Sequence, residues 1–383
     1  MIKLHNMLMI GAAESNVGKT ELACELISRQ SDLHDVIGIK VTTIREADGE
    51  CPRGGEGCGV CSSFEGNFLI TEEGTEPPGK DTVRMLAAGA KRVLWLRVLR
   101  AHLDEGISEL LDKIDRDAVL ICESNSLRQV LEPGLFIMVK DRSSDKYKPS
   151  AQDMKEHADR IVQYDGEKFD IDLDDISVVE GAWALKMDAT AIIMAGGKGS
   201  RMGQEKYLLP VDGHPMIEHI CNKLRPHFKQ LLISANNADR FSFLGIDVVP
   251  DRFPDRGPLM GIASALEASV HDVNVVVACD MPDIDVAFVK RLLRESIGYE
   301  GVVPVTGTSR LEPMCAVYRK SILKTMNEAL SSGDRKVSEV LRRCKIKYIE
   351  VSDAPWFRNI NTMKDYEAYI ASRNLQQGMR NEQ

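Results

Sequence analysis

A glycine-rich segment near the middle of the chain has the residue types that bind a nucleoside triphosphate. It runs from Ala191 to Lys206 and contains four closely spaced glycines: Gly196, Gly197, Gly199 and Gly203. Glycines let the backbone bring its N–H groups against phosphate oxygens, an approach that Cβ atoms would obstruct. Arg201 and Lys206 add the positive charge that stabilises an attacked α-phosphate. The segment therefore predicts nucleotidyl transfer, although a glycine turn between strand and helix is also a common structural device.

Two aspartates follow apolar runs further along the chain. Asp251 comes after Val248-Val-Pro, and Asp280 comes after Val275-Val-Val-Ala-Cys. Because ligands of open α/β folds bind at the carboxyl ends of the strands, we expect both carboxylates near the glycine segment. Magnesium prefers one or two carboxylates together with phosphate oxygens, so Asp280, helped by Asp251, is predicted to hold Mg²⁺. The alternative for Asp280 is a turn-forming role before Met281-Pro282.

A second phosphate-binding pattern lies near the N-terminus. Ala13-Glu-Ser-Asn-Val-Gly18-Lys19-Thr20 fits the Walker A pattern, with alanine in the first glycine place. The loop amides and Lys19 would hold β- and γ-phosphates, and the Thr20 hydroxyl would bind magnesium. Glu123 follows a later apolar run, where a second acid would position magnesium or water. A solvated turn residue is the alternative for Glu123.

Three of the nine cysteines cluster in a glycine-rich loop, residues 51–61, as Cys51, Cys58 and Cys61. Their spacing resembles a zinc or iron–sulfur site that lacks one ligand, which Cys122, His34 or a partner chain could provide. A flexible, redox-sensitive lid is the alternative. The remaining cysteines are mostly scattered singly in apolar runs, as in reduced cytosolic proteins.

Apolar strand-like runs alternate with helical periods, which predicts an α/β fold with mainly parallel sheets covered by helices. After the aspartate-rich stretch 165–175 the pattern restarts at Ala189 with a second strand and glycine loop. We therefore predict two three-layer domains. Residues 1–186 would form a P-loop NTPase-like domain, and residues 187–383 a Rossmann-like nucleotidyltransferase domain.

Composition restricts the classes of function. A length of 383 residues suits two domains, and 43% hydrophobic residues exclude a disordered chain. The net charge of -9 disfavours broad binding of nucleic acid, which requires a basic surface. No apolar run approaches the roughly 20 residues that span a bilayer. We expect a cytoplasmic protein that binds neither membrane nor nucleic acid.

Residues 189–370 resemble the molybdenum cofactor guanylyltransferase family (the MobA type), which joins GMP to molybdopterin. The matching motifs cover nearly the whole second half: Met194-Ala-Gly-Gly197, Arg201-Met-Gly203, Lys206, Gly257-Pro-Leu-Met-Gly261, Cys279-Asp-Met-Pro282, Glu312-Pro-Met-Cys-Ala-Val-Tyr-Arg319 and Asn359-Ile-Asn-Thr362. The resemblance implies GTP and molybdopterin as substrates and Mg²⁺ as cofactor.

The same resemblance implies roles for individual residues. Met194, Ala195 and Gly196 would line the nucleotide through their backbone, and Lys206 would contact its phosphates. Asp251 would lie by the nucleotide and Asp280 would hold magnesium. Two departures from the family pattern concern base and sugar contacts. Glu205 stands where Asp is usual, and the polar pair after the next strand is Ser234-Ala-Asn236, with Asn236 as its nucleotide-contacting member.

The first half resembles the molybdopterin guanine dinucleotide accessory family (the MobB type) of P-loop proteins. The resemblance rests on the Walker segment, Ile37-Gly-Ile-Lys40-Val, Lys80-Asp-Thr-Val-Arg84 and Ala88-Gly-Ala-Lys-Arg-Val. It implies a GTP-binding adaptor tethered to the transferase, where a shared ligand passes between sites at high effective concentration. A molybdoenzyme apoprotein would be the further partner.

The predicted mechanism is a single in-line displacement at the α-phosphorus. The attacking phosphate of the acceptor is largely ionised near neutral pH, so positioning and charge matter more than a general base. Two other functions fit the same residues. One is a cytidylyl or sugar-phosphate nucleotidyltransferase of the same fold, and the other is a nucleotide-dependent adaptor for molybdoenzyme maturation.

Overall fold

The computed structural model describes residues 1–44, 66–75, 79–115, 117–196, 206–307, 309–351, 357 and 359–381. The chain forms two compact units, Met1–Leu185 and Lys186–Gln383. Within the described ranges, no helix combines the length and apolar character needed to cross a membrane.

The first unit is built on a sheet with the strand order β3-β4-β2-β5-β1-β6-β7. Its strands are β1 (Ile2–Ala12), β2 (Val36–Ile44), β3 (Phe68–Glu72), β4 (Arg92–Leu99), β5 (Val119–Glu123), β6 (Leu131–Asp141), β7 (Arg160–Tyr164), β8 (Ile176–Val179) and β9 (Ala182–Leu185). Its helices are α1 (Lys19–Gln30), α2 (Asp81–Ala87), α3 (Leu103–Leu111) and α4 (Pro149–Gln152). Within the seven-stranded sheet, β3 is the one described strand that runs antiparallel to its neighbour, and β8 and β9 form a separate antiparallel hairpin.

Strand β1 shows why this sheet is covered on both faces. Leu8 and Ile10 pack into a core cluster with α1, whereas Met7 and Met9 pack into a second cluster with α3. Successive strand residues point to opposite faces, so a strand buried on both faces is apolar throughout rather than alternating. The β8–β9 hairpin packs on this sheet, where the Trp183 indole N–H donates to the Leu120 carbonyl at 3.1 Å.

The second unit has the sheet order β14-β13-β10-β15-β18-β16-β17, with β19 beside β16. Its strands are β10 (Met187–Met194), β11 (Pro210–Val211), β12 (His214–Pro215), β13 (Phe228–Ser234), β14 (Asp247–Val249), β15 (Val273–Ala278), β16 (Gly301–Thr306), β17 (Arg310–Leu311), β18 (Cys315–Arg319) and β19 (Ile346–Val351). Its helices are α5 (Met216–Leu224), α6 (Pro258–Ala268), α7 (Val286–Glu295), α8 (Leu323–Ser331), α9 (Val337–Leu341) and α10 (Met363–Asn381).

Helices cover both faces of this second sheet. Ile193 of β10 packs in a cluster with α5, α7 and α10, and Ile192 packs in another with α6, α8 and α9. Strands β14, β13, β10 and β15 are parallel, whereas β18 runs antiparallel to β15. The predicted α/β class with mainly parallel sheets is therefore confirmed.

Candidate functional site

The candidate site lies at the carboxyl end of β10, between β13 and β15. The Ala195 N–H donates to the Ser234 carbonyl at 3.0 Å, and the Cys279 N–H donates to the Met194 carbonyl at 3.1 Å. These bonds fix the chain as it leaves the strand. At Gly196 an added Cβ would have only the Ser234 carbonyl nearby, at 3.7 Å, so the described protein atoms do not require glycine there.

Lys206 and Asp280 are brought together at this edge although 74 residues separate them in sequence. The Lys206 Nζ donates to the Asp280 Oδ2 at 2.6 Å, and each side chain is 20% exposed. A cation and a carboxylate with limited solvent contact interact more strongly than a surface pair, because water screens them less. The pair supplies the two charges that nucleotidyl transfer needs, one for phosphate and one for a metal ion.

The second oxygen of Asp280 is the unsatisfied atom of the site. Asp280 Oδ1 is buried and accepts no hydrogen bond from any residue that the structure describes. A buried carboxylate oxygen without a partner costs free energy, and such atoms often face an ion or ligand. Oxygen ligands are what Mg²⁺ prefers, so this atom fits a magnesium ion.

Cys279, the neighbour of Asp280, does not supply a thiolate. Desolvation, followed by the charge of Asp280, raises the pKa of the Cys279 thiol to about 12. The thiol therefore stays protonated near neutral pH, and protonated thiols are poor nucleophiles and poor metal ligands. This leaves Lys206 and Asp280 as the charged pair at this strand end.

Asn361 belongs to the same site, which the sequence did not single out. Its Oδ1 accepts from Lys206 Nζ at 3.4 Å across 155 residues of sequence. The neighbouring Ile360 N–H donates to the Asp280 carbonyl at 2.9 Å, so this segment touches both members of the pair. The only signal in the sequence was the motif Asn359-Ile-Asn-Thr362, to which no role had been given.

The loop that contains Asn361 lies just before α10 and is held by hydrogen bonds to the start of that helix. Asp365 accepts hydrogen bonds from the Asn361 N–H at 3.1 Å and the Thr362 N–H at 2.8 Å. The Asp365 N–H in turn donates to the Thr362 hydroxyl at 3.2 Å, a reciprocal cap of the helix N-terminus. Hydrogen bonds from Thr362 hold the pKa of Asp365 below its ordinary value, so the cap is ionised at neutral pH.

Asn236 and Asp251 form a separate pair. The Asp251 N–H donates to Asn236 Oδ1 at 2.8 Å, and Asn236 Nδ2 donates to Asp251 Oδ2 at 3.1 Å. They follow β13 and β14, on the opposite side of β10 from Asp280. The structure thus joins Asp251 to Asn236, while a share of Asp251 in a magnesium site stays a prediction.

Gly261 of α6 makes room for the Asp251 pair. An added Cβ would lie 2.9 Å from both Met194 Cε and Ser234 Oγ and 3.3 Å from Asp251 Oδ1. Helix α6 begins after Gly257, whose φ of +76° is one that glycine adopts without strain. The motif Gly257-Pro-Leu-Met-Gly261 therefore serves the close approach of this helix to the strand ends.

We expect Gly261→Ala to destabilise the second unit by about 1 kcal/mol. The added methyl group overpacks the contact at a cost of roughly 2 kcal/mol, and this cost exceeds what the higher helix propensity of alanine gains. The midpoint of urea unfolding of the full chain measures this loss of stability. Gly74→Ala is the control, because an added Cβ there meets no atom within 4 Å. Equal midpoints for the two variants would contradict the tight contact at Gly261.

The Walker segment of the first unit lies between β1 and α1. Gly18 has a φ of +85° and precedes α1, and the Tyr164 ring lies 2.5 Å from where a Cβ would stand. The Asn125 side chain fixes the start of the loop through Ala12, whose N–H donates to Asn125 Oδ1 at 2.8 Å. Asn125 Nδ2 donates back to the Ala12 carbonyl at 2.9 Å.

Lys19 points to Glu123 at the end of β5. Its Nζ lies 3.6 Å from Glu123 Oε2, and the Glu123 side chain is fully buried. The alternative of a solvated turn residue is therefore wrong for Glu123: the strand extends one residue further than predicted and carries the carboxylate into the interior. The structure thus places an acid beside the Walker lysine, while the predicted role of Glu123 in positioning magnesium or water stays a prediction.

Thr20 is buried at the start of α1. Asp81, the first residue of α2, pairs with the Lys40 ammonium group of β2. Asp81 and Lys40 had been noted only as parts of motifs. Strand pairing also sets Lys40 beside Glu123 of β5.

Several predicted site residues lie outside the described ranges: Gly197, Arg201, Cys51, Cys58 and Cys61. Within those ranges no group of three or more His, Cys, Asp or Glu residues could hold a metal ion. Cys122, considered as a fourth ligand, is completely buried in the β5 core, and burial raises the pKa of its thiol. Cys122 thus packs as a core residue in the described part of the chain, and its role as a fourth ligand stays a prediction.

Comparison with known proteins extends over the second unit. Residues 191–348 match the family model described as "MobA-like NTP transferase domain". A probable molybdenum cofactor guanylyltransferase of Carboxydothermus hydrogenoformans is 36% identical over 188 residues, 47% of this chain and 94% of that protein. The molybdenum cofactor guanylyltransferase of Vibrio cholerae is 33% identical, covering 48% of this chain and 92% of that one.

Among solved structures, molybdopterin-guanine dinucleotide biosynthesis protein A of Archaeoglobus fulgidus is similar to 48% of this chain. It is 25% identical, the match covers 99% of that protein, and the TM-score is 0.42.

Proposed function

The chain belongs, through its second unit, to the family of molybdenum cofactor guanylyltransferases, and we propose how that unit performs the transfer. The reaction joins GMP from GTP to molybdopterin and gives molybdopterin guanine dinucleotide and pyrophosphate. The observation that carries the assignment of the site is the Lys206–Asp280 pair at the carboxyl end of the sheet.

The chemistry balances as a single displacement. A phosphate oxygen of molybdopterin forms a bond to the α-phosphorus of GTP as the bond to the bridging oxygen breaks, and the electron pair leaves with pyrophosphate. Lys206 binds the phosphates and holds its charge where negative charge builds up. Asn361 orients the Lys206 ammonium group. Because the nucleophile is already ionised, no described residue has to remove a proton.

Asp280 would hold magnesium, with Oδ1 directed to it. The unsatisfied buried oxygen supports this role, since one carboxylate plus phosphate oxygens is a common magnesium site. When bound, magnesium would supply positive charge against the phosphates of the nucleotide. Met194, Ala195 and Gly196 would line the nucleotide, with Asn236 and Asp251 on the other side of β10 toward sugar and base. Gly197 and Arg201 are proposed to contact the phosphates.

The test is to identify the product. The purified chain is incubated with molybdopterin, magnesium and an equal mixture of the four NTPs, and the dinucleotide is identified by mass spectrometry. We expect the guanine dinucleotide and an equal amount of pyrophosphate. A cytosine dinucleotide would support the cytidylyl alternative. No dinucleotide with any NTP would contradict transfer and leave the adaptor alternative.

For the first unit we propose a MobB-type P-loop that binds GTP. Support comes from Gly18 at a positive φ, Lys19 at the start of α1 and the buried acid beside it. Helix N-termini and loop amides bind phosphate through their exposed N–H groups. In this role the unit acts as an adaptor that keeps nucleotide close to the transferase and hands the product to a molybdoenzyme.

Lys19→Ala is expected to weaken GTP binding by the first unit about a hundredfold, because a phosphate-binding lysine supplies charge-assisted bonds that water does not replace. Titration calorimetry measures it, and the part of the GTP binding that Lys19→Ala removes is the binding of this unit. Lys3→Ala is the control, since Lys3 forms an exposed pair with Glu132 in the same unit. Unchanged GTP affinity in the Lys19 variant would contradict the P-loop proposal.

A metal at Cys51, Cys58 and Cys61 stays a hypothesis from the sequence. Metal analysis of anaerobically purified protein tests it. Equimolar zinc, or iron with sulfide, that is lost in Cys58→Ser would support it, and absence of both metals would end it.

A further inference from the structure

The guanidinium group of Arg373, on α10, joins two acidic side chains that are distant in sequence. Its Nε donates to Asp212 Oδ1 at 3.3 Å, and its Nη2 donates to the other Asp212 oxygen. Its Nη1 donates to Asp283 Oδ1 at 2.9 Å and to the Tyr369 hydroxyl at 3.0 Å. The Tyr369 hydroxyl donates in turn to the same Asp283 oxygen at 2.9 Å. All three nitrogens of the guanidinium group therefore donate to protein oxygens.

Each aspartate belongs to a segment that carries one member of the Lys206–Asp280 pair. Asp212 lies in the turn between β11 and β12, and β11 follows the short helical turn that begins at Lys206. Asp283 follows Asp280 in the loop between β15 and α7. Arg373 thus links the chain just after Lys206 to the chain just after Asp280.

The segment between Lys206 and Asp212 is held together by its own hydrogen bonds. The Leu209 N–H donates to the Lys206 carbonyl at 3.3 Å, and the Met216 N–H donates to the Leu209 carbonyl at 2.9 Å. Asp212 and Gly213 have φ angles of +51° and +83°, as a two-residue hairpin turn requires. A force on the Asp212 carboxylate is therefore transmitted to the backbone of Lys206.

Other residues of α10 contact the same region. The Tyr366 hydroxyl donates to the Pro210 carbonyl of β11 at 2.6 Å, and the Tyr369 ring is buried. Tyr366, Tyr369 and Arg373 have the spacing i, i+3 and i+7, so they lie on one face of the helix. The start of the same helix holds the loop that contains Asn361. Helix α10 therefore contacts every segment of the site around Lys206.

We propose that Arg373 is a positioning residue for guanylyl transfer, which fixes Lys206 relative to Asp280 by joining Asp212 to Asp283. This inference rests on the proposed roles of Lys206 and Asp280 in the transfer. An arginine that binds a phosphate group needs N–H groups that the protein leaves available, whereas the nitrogens of Arg373 already donate to two carboxylates. Arg373 therefore acts through the two loops and not by contact with the nucleotide.

The transfer step is more sensitive to this link than nucleotide binding is. In-line displacement requires both charges at fixed places around the α-phosphorus, and a misplacement of about 1 Å can cost about a hundredfold in rate. In the ground state the flexible triphosphate can adjust to a displaced lysine. Loss of the link is therefore expected to lower kcat more than it raises KM.

The first test measures kcat and KM for GTP in the full-length Arg373→Met chain. We expect kcat to fall about thirtyfold, with KM within about threefold of the parent. Arg373→Lys keeps a charge but not the planar fork that spans two carboxylates, so it should recover only part of the rate. A kcat of Arg373→Met within twofold of the parent, or a loss expressed mainly in KM, would overturn the proposal.

Arg319→Met is the matched control. Its side chain is 28% exposed, against 24% for Arg373, and it pairs with Asp272 at 2.6 Å. Asp272 lies just before the first residue of β15, at the opposite end of that strand from Asp280. We expect Arg319→Met to keep the parent kcat. An equal loss of kcat in the two methionine variants would show a general effect of losing a paired arginine.

Two asparagine variants break the link without altering α10. Asp212→Asn and Asp283→Asn each weaken one of its ends, and asparagine tolerates the positive φ of position 212. Each should lower kcat about tenfold, and neither should add to the loss in Arg373→Met. These variants decide the question even if urea unfolding shows that Arg373→Met does not fold. The parent kcat in both would refute the link.

The combination of Arg373→Met with Lys206→Ala separates positioning from a loss of folded protein. If Arg373 acts by placing Lys206, the double variant should lose far less activity than the product of the two single losses. Single-turnover formation of the dinucleotide from labelled GTP measures these low rates. A loss equal to the product would overturn the positioning role, because a smaller folded fraction multiplies with the loss of Lys206.

The outcomes also distinguish this inference from the function on which it rests. If Lys206→Ala alone keeps the parent kcat, the proposed transfer site is refuted, and the role of Arg373 with it. If Lys206→Ala loses the activity while Arg373→Met keeps it, the transfer site stands and only the positioning role is wrong.

Discussion

Lys206→Ala should lower kcat for guanylyl transfer about a thousandfold, with a smaller effect on KM for GTP. Charge on the transferred phosphoryl group and on pyrophosphate is greatest in the transition state, and a fixed cation with limited solvent contact stabilises it there most strongly. Lys206 is only 20% exposed and is held by Asp280 and Asn361, so no described neighbour replaces it. Pyrophosphate release under saturating GTP measures kcat.

Controls for this variant come from the same unit. Lys229→Ala removes a lysine from an outlying pair with Asp188, at 2.7 Å, and should leave kcat unchanged. Lys206→Arg keeps the charge with a different shape and should recover part of the rate. Should Lys206→Ala keep kcat and KM within twofold of the parent, the site would be wrongly assigned.

Asp280→Asn should lower kcat by a factor of about a hundred to a thousand and raise the magnesium concentration at half-maximal rate. Asparagine keeps the size of the side chain but offers a neutral, weaker metal ligand. GTP binding in EDTA should be retained or tighten, because Lys206 no longer has a carboxylate to compete with the phosphates. A magnesium titration of the rate, with calorimetry in EDTA, separates the two effects.

Asp280→Asn is expected to lower the free energy of unfolding by about 1 kcal/mol, since Lys206 loses its carboxylate partner while the poorly satisfied charge of Asp280 is removed as well. Asp272→Asn, which breaks a pair with Arg319 at 2.6 Å, is the matched control. It should leave the magnesium dependence unaltered. An unaltered dependence in Asp280→Asn itself would remove Asp280 from the metal site.

The sequence predicted the core strands and the ends of several of them because buried parallel strands are apolar throughout and are followed by polar residues. The run Val275–Ala278 lies within β15, and the acid two residues after it meets Lys206. Strand β6 spans Leu131–Asp141 and extends beyond its buried apolar run Leu135–Val139, because hydrogen bonding continues through residues whose side chains are half-exposed. The antiparallel β18 was not foreseen, since strand direction depends on pairing with distant residues.

Local sequence patterns could not predict which side chains contact each other. Asn361 reaches Lys206 through the loop before α10, and Asp81 at the start of α2 reaches Lys40 of β2. Both contacts depend on tertiary packing that brings distant segments to the edge of a sheet. Glu123 is a further case: the sequence indicated an acid after the strand, but its burial beside Lys19 required the strand to run one residue longer.

The ion pair between Lys206 and Asp280 has a consequence for which solutes can enter the transferase site. Free phosphate would draw Lys206 away and strand a carboxylate, and free magnesium would take Asp280 and strand an ammonium group. A metal–nucleotide complex carries negative phosphates and a positive metal ion. Its phosphates can contact Lys206 while its metal ion contacts Asp280, so neither side chain loses an oppositely charged partner. Such a site would favour the metal–nucleotide chelate, which carries charges of both signs, over abundant single ions.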